Sequence, residues 1–237
     1  MCIRDSIGHA LDPDVDRSDF VEQTISETLP AVTSEFPGIA IDAYCEEGAW
    51  TLEESLRLFD AASAAGHVLR VHADQFHSIG MVPAAVQRSF RSVDHLEATS
   101  QADLQRLAAS ETCGVVLPCS GFHLDGRYAN ARAVVDAGGA VALATNWNPG
   151  SAPCPSMPMA IALAARHCGL TPAEAIVAAT LNGSHVMGLS GAGRIRVGDI
   201  ADLVLLEYSD PRELAFSFGG NPARIVLCHG EIVRENA

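Results

Sequence analysis

Two histidines stand where a chain can do chemistry. His72 ends the apolar run in "HVLRVHADQ", and His95 follows a shorter one in "SVDHLE"; acids or amides come straight after each. Neutral imidazole is the commonest metal ligand, and histidine is the side chain whose charge changes nearest neutral pH. A single histidine at a strand end is more simply a core residue bonded to backbone. Two at the mouths of consecutive strands would face one cavity, where one can bind a metal and the other can act as acid or base. His9, in "IGHALDP", is a third histidine that leaves a strand-like segment.

The stretch "VALATNWNPGS", residues 141–151, poses a different question. A strand that reads as buried ends in Asn146, Trp147, Asn148, a Pro-Gly turn and Ser151. Asn and Ser side chains bond their own backbone in turns, and Pro-Gly reverses the chain, so turn formation alone accounts for the composition. A loop that holds a ligand accounts for it equally. Glu46 and Glu47 read as first-turn charge before a helix. Cys119 reads as a buried thiol, since nothing nearby would activate it. His77 and His123 read as solvated loop residues, and His67, His167, His185 and His229 receive no role.

The elements that must position these residues follow from periodicity. Helical patterns cover residues 17–32, 51–65, 100–109 and 128–138; Thr51 with Glu54 forms a capping-box signature, and Ser100 is a candidate N-cap. Strand-like runs cover 38–44, 67–73, 92–97, 113–119 and 140–145. They recur roughly every 21–29 residues with helical segments between most of them, the βαβ rhythm of a parallel sheet. No G-x-G-x-x-G or P-loop string follows any strand, and polar residues gather at the strand ends instead. Catalytic groups carried on successive strand ends are the arrangement of a (β/α) barrel. Beyond Met157 the pattern predicts two packed helices over 157–170 and 171–188. "GRIRVGDIADLVLLE" and "ARIVLCHGEIV" then predict short antiparallel strands, with Gly198-Asp199 as a turn signal.

Composition narrows the partners. Fifteen Lys and Arg against 29 Asp and Glu give a formal charge of −14, a surface that repels nucleic acid and anionic lipid. No apolar run is long enough to span a membrane. Seven cysteines without C-x-x-C spacing suit reduced thiols in a cytoplasmic protein better than a disulfide framework.

With these residues placed, the chain resembles the imidazolonepropionases, metal-dependent amidohydrolases of histidine degradation. The resemblance runs from Ile7 onward through "GHALDPD", "IDAYCEEGAWTLEES", "VHADQFHSIG", "VDHLEATS", "VVLPCSGFHL", "ATNWNPGS" and the closing "GRIRVGDIADLVLLE". It implies a (β/α)8 amidohydrolase barrel with a small composite β domain, and a small-molecule substrate. The reaction it implies is hydrolysis of the ring amide of 4-imidazolone-5-propanoate to N-formimidoyl-L-glutamate. One divalent metal, zinc or iron, would activate the water. His72 would ligate that metal and His95 would contact substrate and assist proton transfer. His9 would bind substrate, as would Asn148, Gly150 and Ser151 of the "NPGS" loop. Gln75 takes the place of the family's catalytic and substrate-binding Glu. The resemblance leaves a homodimer open as the assembly.

Two departures qualify what is carried over. Asn146 stands where the family has a metal-ligating Asp, and Gln75 where it has Glu, so two acids are replaced by their amides. An amide offers a carbonyl oxygen but no charge and no general base. Restoring the acid in Asn146→Asp should therefore raise metal affinity and turnover. The family's H-x-H ligand pair occurs nowhere in the sequence. The expected organisation is a foreign start at residues 1–6, an incomplete barrel of about six of the eight strands over 7–190, and C-terminal strands of the small β domain over 191–237. On that reading the chain is a C-terminal fragment, inactive alone. A related amidohydrolase or deaminase acting on another heterocycle, and a metal-free pseudoenzyme, remain as alternatives.

Overall fold

The computed structural model describes residues 6–8, 11–12 and 14–235. They fall into two compact units, residues 1–115 with 133–139, and residues 116–132 with 140–237.

The first unit is built on parallel strands β1 (Ser6–Gly8), β2 (Ala40–Cys45), β3 (Val68–Ala73), β4 (Ser92–His95) and β5 (Cys113–Val116). Their spatial order follows the chain order throughout. A doubly wound sheet reverses direction at a switch point; a sheet that never reverses is wound as a barrel is. Register is explicit: Tyr44 lies beside His72, and Ala73 beside His95. Ile41, Ala43, Val71 and Val93 are fully buried.

The helices between these strands carry the predicted caps. Leu52–Ala64 begins with the Thr51/Glu54 capping box and buries Ser55, Leu58, Phe59 and Ala62, the spacing of one helical face. Phe59 meets Phe90 edge to face with centroids 4.6 Å apart. Gln101–Ala108 begins at Ser100, whose hydroxyl accepts the Asp103 N–H. The first helical stretch runs Arg17–Gln23, a π-helical turn Thr24–Thr28, then Leu29–Glu35. The π turn ends two residues before Pro30, whose ring would crowd the Ser26 carbonyl in an unbroken α-helix.

The structure refines the sequence reading at three places. The run at 113–119 is strand only to Val116; Pro118 then opens a helix, Pro118–His123, because proline cannot donate to a ladder but suits a first helical turn. Met81–Gln87 is helical without a predictive signal, its N-cap being Gly80 at φ 93°. The turn signalled by Gly198-Asp199 forms: Asp199 N–H donates to Arg196 O, and Arg194 holds the Asp199 carboxylate at 2.7 Å.

The second unit contains β6 (Val141–Leu143), helix Met157–His167 capped by Ser156, and helix Pro172–Val177 with a Thr171/Glu174 capping box. A π turn, Ala178–Asn182, leads into Gly183–Val186, and Asn182 Nδ2 donates to Val141 O at 2.8 Å. Strands β7 (Leu203–Leu206), β8 (Ala223–Cys228) and β9 (Glu231–Glu235) form an antiparallel sheet in that order. Among the described residues, no helix is long and apolar enough to cross a membrane.

Candidate active site

Strand alternation places Asp42 and Tyr44 on one face of β2, and register sets His72 beside Tyr44. His72 Nδ1 lies 2.8 Å from Asp42 Oδ2 and 3.0 Å from Oδ1, with both side chains buried. A carboxylate at Nδ1 holds the proton on that nitrogen and makes Nε2 the unprotonated one, the tautomer in which a histidine ligates metal. Asp42 carried a signal that the sequence reading passed over: a single charge inside the apolar run "GIAIDAY".

His95 reaches the same side by breaking the strand rule. Alternation alone would put it on the face of Val93, opposite that of Asp94 and of His72 beside it. Its φ of 92°, followed by 74° at Leu96, turns the ring so that its centroid stands 5.5 Å from that of His72. Its Nδ1 lies 3.2 Å from Glu97 Oε1, both side chains being buried. Asp74, at the end of β3, has φ 55°. Non-glycine residues at positive φ are uncommon, and where they cluster the surrounding structure is holding strain.

Around this pair the polar groups are partnered across strands. Tyr44 OH donates to Gln75 Oε1 at 2.9 Å. Glu46 is not first-turn charge: it is buried, accepts the N–H groups of Phe76 and His77, and meets His77 Nδ1 at 3.0 Å. It thereby fixes the loop after β3. His77 is accordingly a half-exposed partner of Glu46 rather than a purely solvated residue. Asp74 accepts the Thr99 hydroxyl through Oδ2, its carbonyl accepts the Ala98 N–H, and burial pushes its carboxyl pKa upward. Two residues back from His72, Arg70 bonds Ser92 Oγ and Asp94 Oδ2, each at 3.1 Å, and Ser92 donates to Asp94 Oδ1.

The 146–151 loop, in the second unit, is organised differently. Asn148 Oδ1 accepts the N–H groups of Gly150 and Ser151 at 2.9 and 2.7 Å. Its Nδ2 donates to Asn146 O at 2.6 Å and to Ser151 Oγ at 2.9 Å. Asn146 has φ 55° and donates its own Nδ2 to Ser151 Oγ at 3.3 Å. The amides at this strand end therefore build the turn, while Trp147 points outward, 64% exposed. Cys119 is buried with its thiol pushed up to about 12, first by burial and then by Cys154 beside it, the setting of an inert packed thiol. His67 bonds Ile39 O and Thr33 Oγ1 and is structural. His9 lies outside the described residues, immediately after the last residue of β1.

A parallel sheet wound in chain order, with a carboxylate-backed histidine and a second histidine at adjacent strand ends, describes a class of barrel hydrolases, and the comparisons agree. The profile of the amidohydrolase family matches residues 24–233, and the chain belongs to that family. Among individual proteins it is 42% identical over 214 residues to an imidazolonepropionase of Deinococcus deserti, and 42% identical over 226 residues to one of Herpetosiphon aurantiacus. These alignments take in 90% and 92% of the chain but 54% and 53% of the relatives, so the chain spans about half the length of the curated relatives it matches. Among solved structures, an adenosine deaminase from Xanthomonas campestris with bound zinc superposes with a TM-score of 0.69 at 18% identity, over 95% of this chain and 59% of that one. An amidohydrolase from a Sargasso Sea environmental sample gives 0.72 at 18% identity, over 96% and 59%. At that identity these neighbours establish the fold alone.

Proposed function

We propose that this chain contributes to hydrolysis of the ring amide of 4-imidazolone-5-propanoate, giving N-formimidoyl-L-glutamate, by the full-length protein, and that the chain by itself, which carries no H-x-H pair, is inactive. The observation that carries this reading is the buried His72–Asp42 pair 5.5 Å from His95, in a chain 42% identical to imidazolonepropionases. His72 would give a divalent cation, zinc or iron, one ligand through Nε2 while Asp42 fixes the ring, and the H-x-H pair that the family uses to complete such a site is not in this sequence. When bound, such a cation supplies a Lewis acid that lowers the pKa of water and polarises a carbonyl. His95, its ring steadied by Glu97, moves the proton between the water and the departing ring nitrogen. Gln75, held by Tyr44, presents an amide to the substrate where an acid would carry charge. His9 and the loop bearing Asn148, Gly150 and Ser151 are assigned to substrate binding, with Asn146 offering a neutral oxygen in place of a carboxylate. The six free cysteines among the described residues support a cytoplasmic setting.

The test is to incubate the full-length protein with 4-imidazolone-5-propanoate, follow loss of the substrate's ultraviolet absorbance, and identify the product by mass. Formimidoylglutamate that forms with wild type and not with His95→Asn supports the assignment. Ammonia released from amino-substituted heterocycles, with no turnover of the imidazolone, would replace it with a deaminase.

A further inference from the structure

We propose that Asp202, Cys228 and His229 form a second cation site, for a borderline-soft divalent ion of the zinc class, at one end of the antiparallel sheet. It shares no residue with the strand-end cluster and does not rest on the proposed reaction.

The sheet's pairing assembles the three ligands. Leu203 of β7 pairs with Leu227 of β8. Because the strands run antiparallel, Asp202, one residue before Leu203, comes opposite Cys228, one residue after Leu227. His229 and Gly230 then form the two-residue connection to β9, with φ of 52° and 84°. Such connections favour Asn-Gly, since both residues need positive φ; a histidine adopts it at a cost in strain. The strained position brings His229 in: its N–H donates to Asp202 Oδ1 at 2.8 Å, and Gly230 N–H donates to Ala201 O at 3.0 Å.

The resulting distances suit coordination. His229 Nδ1 lies 3.3 Å from Cys228 Sγ and 3.8 Å from Asp202 Oδ1. One ligand atom from each of the three residues lies within 4.8 Å of the other two, the one such histidine, cysteine and acid group among the described residues. Zinc bonds of about 2.0–2.3 Å at tetrahedral angles require ligand separations of roughly 3.3–3.7 Å, so small side-chain rotations suffice. Thiolate, imidazole and carboxylate are a donor set that zinc accepts, and a fourth position is left for water. All three residues are exposed, and Cys228 is the one exposed thiol among the six described; Cys45, Cys113, Cys119 and Cys168 are buried. A cation here would tie the segment entering β7 to the β8–β9 turn.

Cobalt(II) is the probe, because a thiolate-to-cobalt charge-transfer band reports sulfur ligation directly. Titrating the full chain should give a saturable band that zinc displaces. Cys228→Ser should abolish it. His229→Asn keeps a residue suited to the turn but removes the imidazole, and should weaken binding at least about tenfold, the cost of losing even an outer-shell partner. His72→Ala and Cys154→Ser should leave the band unchanged. The proposal is overturned if no band forms, if the band survives Cys228→Ser, or if His229→Asn binds as wild type does.

Discussion

The strand-end cluster and the 146–151 loop use similar polar residues in opposite ways. In the cluster, most partners come from different strands: His72 and Asp42 are 30 residues apart, Arg70 and Asp94 are 24, and Tyr44 and Gln75 are 31, while His95–Glu97 and Ser92–Asp94 are local pairs. In the loop, every side-chain bond of Asn146, Asn148 and Ser151 given above spans two to five residues. The first arrangement exists only when the sheet is in register, and it buries charge. The second closes on itself and is largely independent of what surrounds it. Polar residues at a strand end can therefore serve either to join elements or to finish one.

That contrast can be broken by mutation, and the largest effect is expected at Asp94. Asp94→Ala leaves the Arg70 guanidinium, 7% exposed, without its carboxylate, and should cost about 3–5 kcal/mol in urea denaturation. A cost below about 1 kcal/mol, the level of a surface pair, would mean the ion pair is not buried in solution. Asp42→Asn should act on His72 rather than on stability. Metal affinity should drop by about 10–100-fold while the urea midpoint moves little, and unchanged affinity in a calorimetric titration would remove Asp42 from the ligand-orienting role. In the loop, Asn148→Ala deletes bonds confined to one turn and should cost about 1 kcal/mol. A loss as large as that at Asp94 would show that the loop supports more than itself.

The smallest effect is electrostatic and occurs in both units. Arg17 holds the Glu54 carboxyl at about 2, and Arg132 holds that of Glu174 at about 2, both against an ordinary value of 4.5. A carboxyl whose pKa is depressed in the folded protein stabilises it above the unfolded value and loses that contribution as pH falls through the folded one. Stability should therefore decline as pH drops from about 4.5 toward 2. Glu54→Gln and Glu174→Gln should each flatten that decline slightly, because both pairs are partly exposed and screened. A decline unchanged in both variants would assign the acid response to other carboxylates.

The elements were legible where their causes are local. Thr51 with Glu54 and Ser100 with Asp103 are caps written within four residues, and the structure forms both. The strand rhythm was legible because alternation and helix length are properties of short windows. The strand misread at 113–119 carried its own correction in Pro118. The turn chemistry of "NWNPGS" was visible as one of two readings, and its hydrogen bonds prove local. Glu46 was misread because its partners, Phe76 and His77, come from the next strand's loop, some thirty residues on.

By itself, then, the sequence determined the caps, the βα rhythm and the two histidines at strand ends, all consequences of neighbours a few residues apart. Tertiary structure decided the rest. Strand register chose Asp42 for His72 and Asp94 for Arg70, because a carboxylate can be buried only where a fixed partner meets it. Positive φ at His95 turned its ring toward His72 against the alternation of the strand, a conformation that short-range preference disfavours and that packing must hold in place.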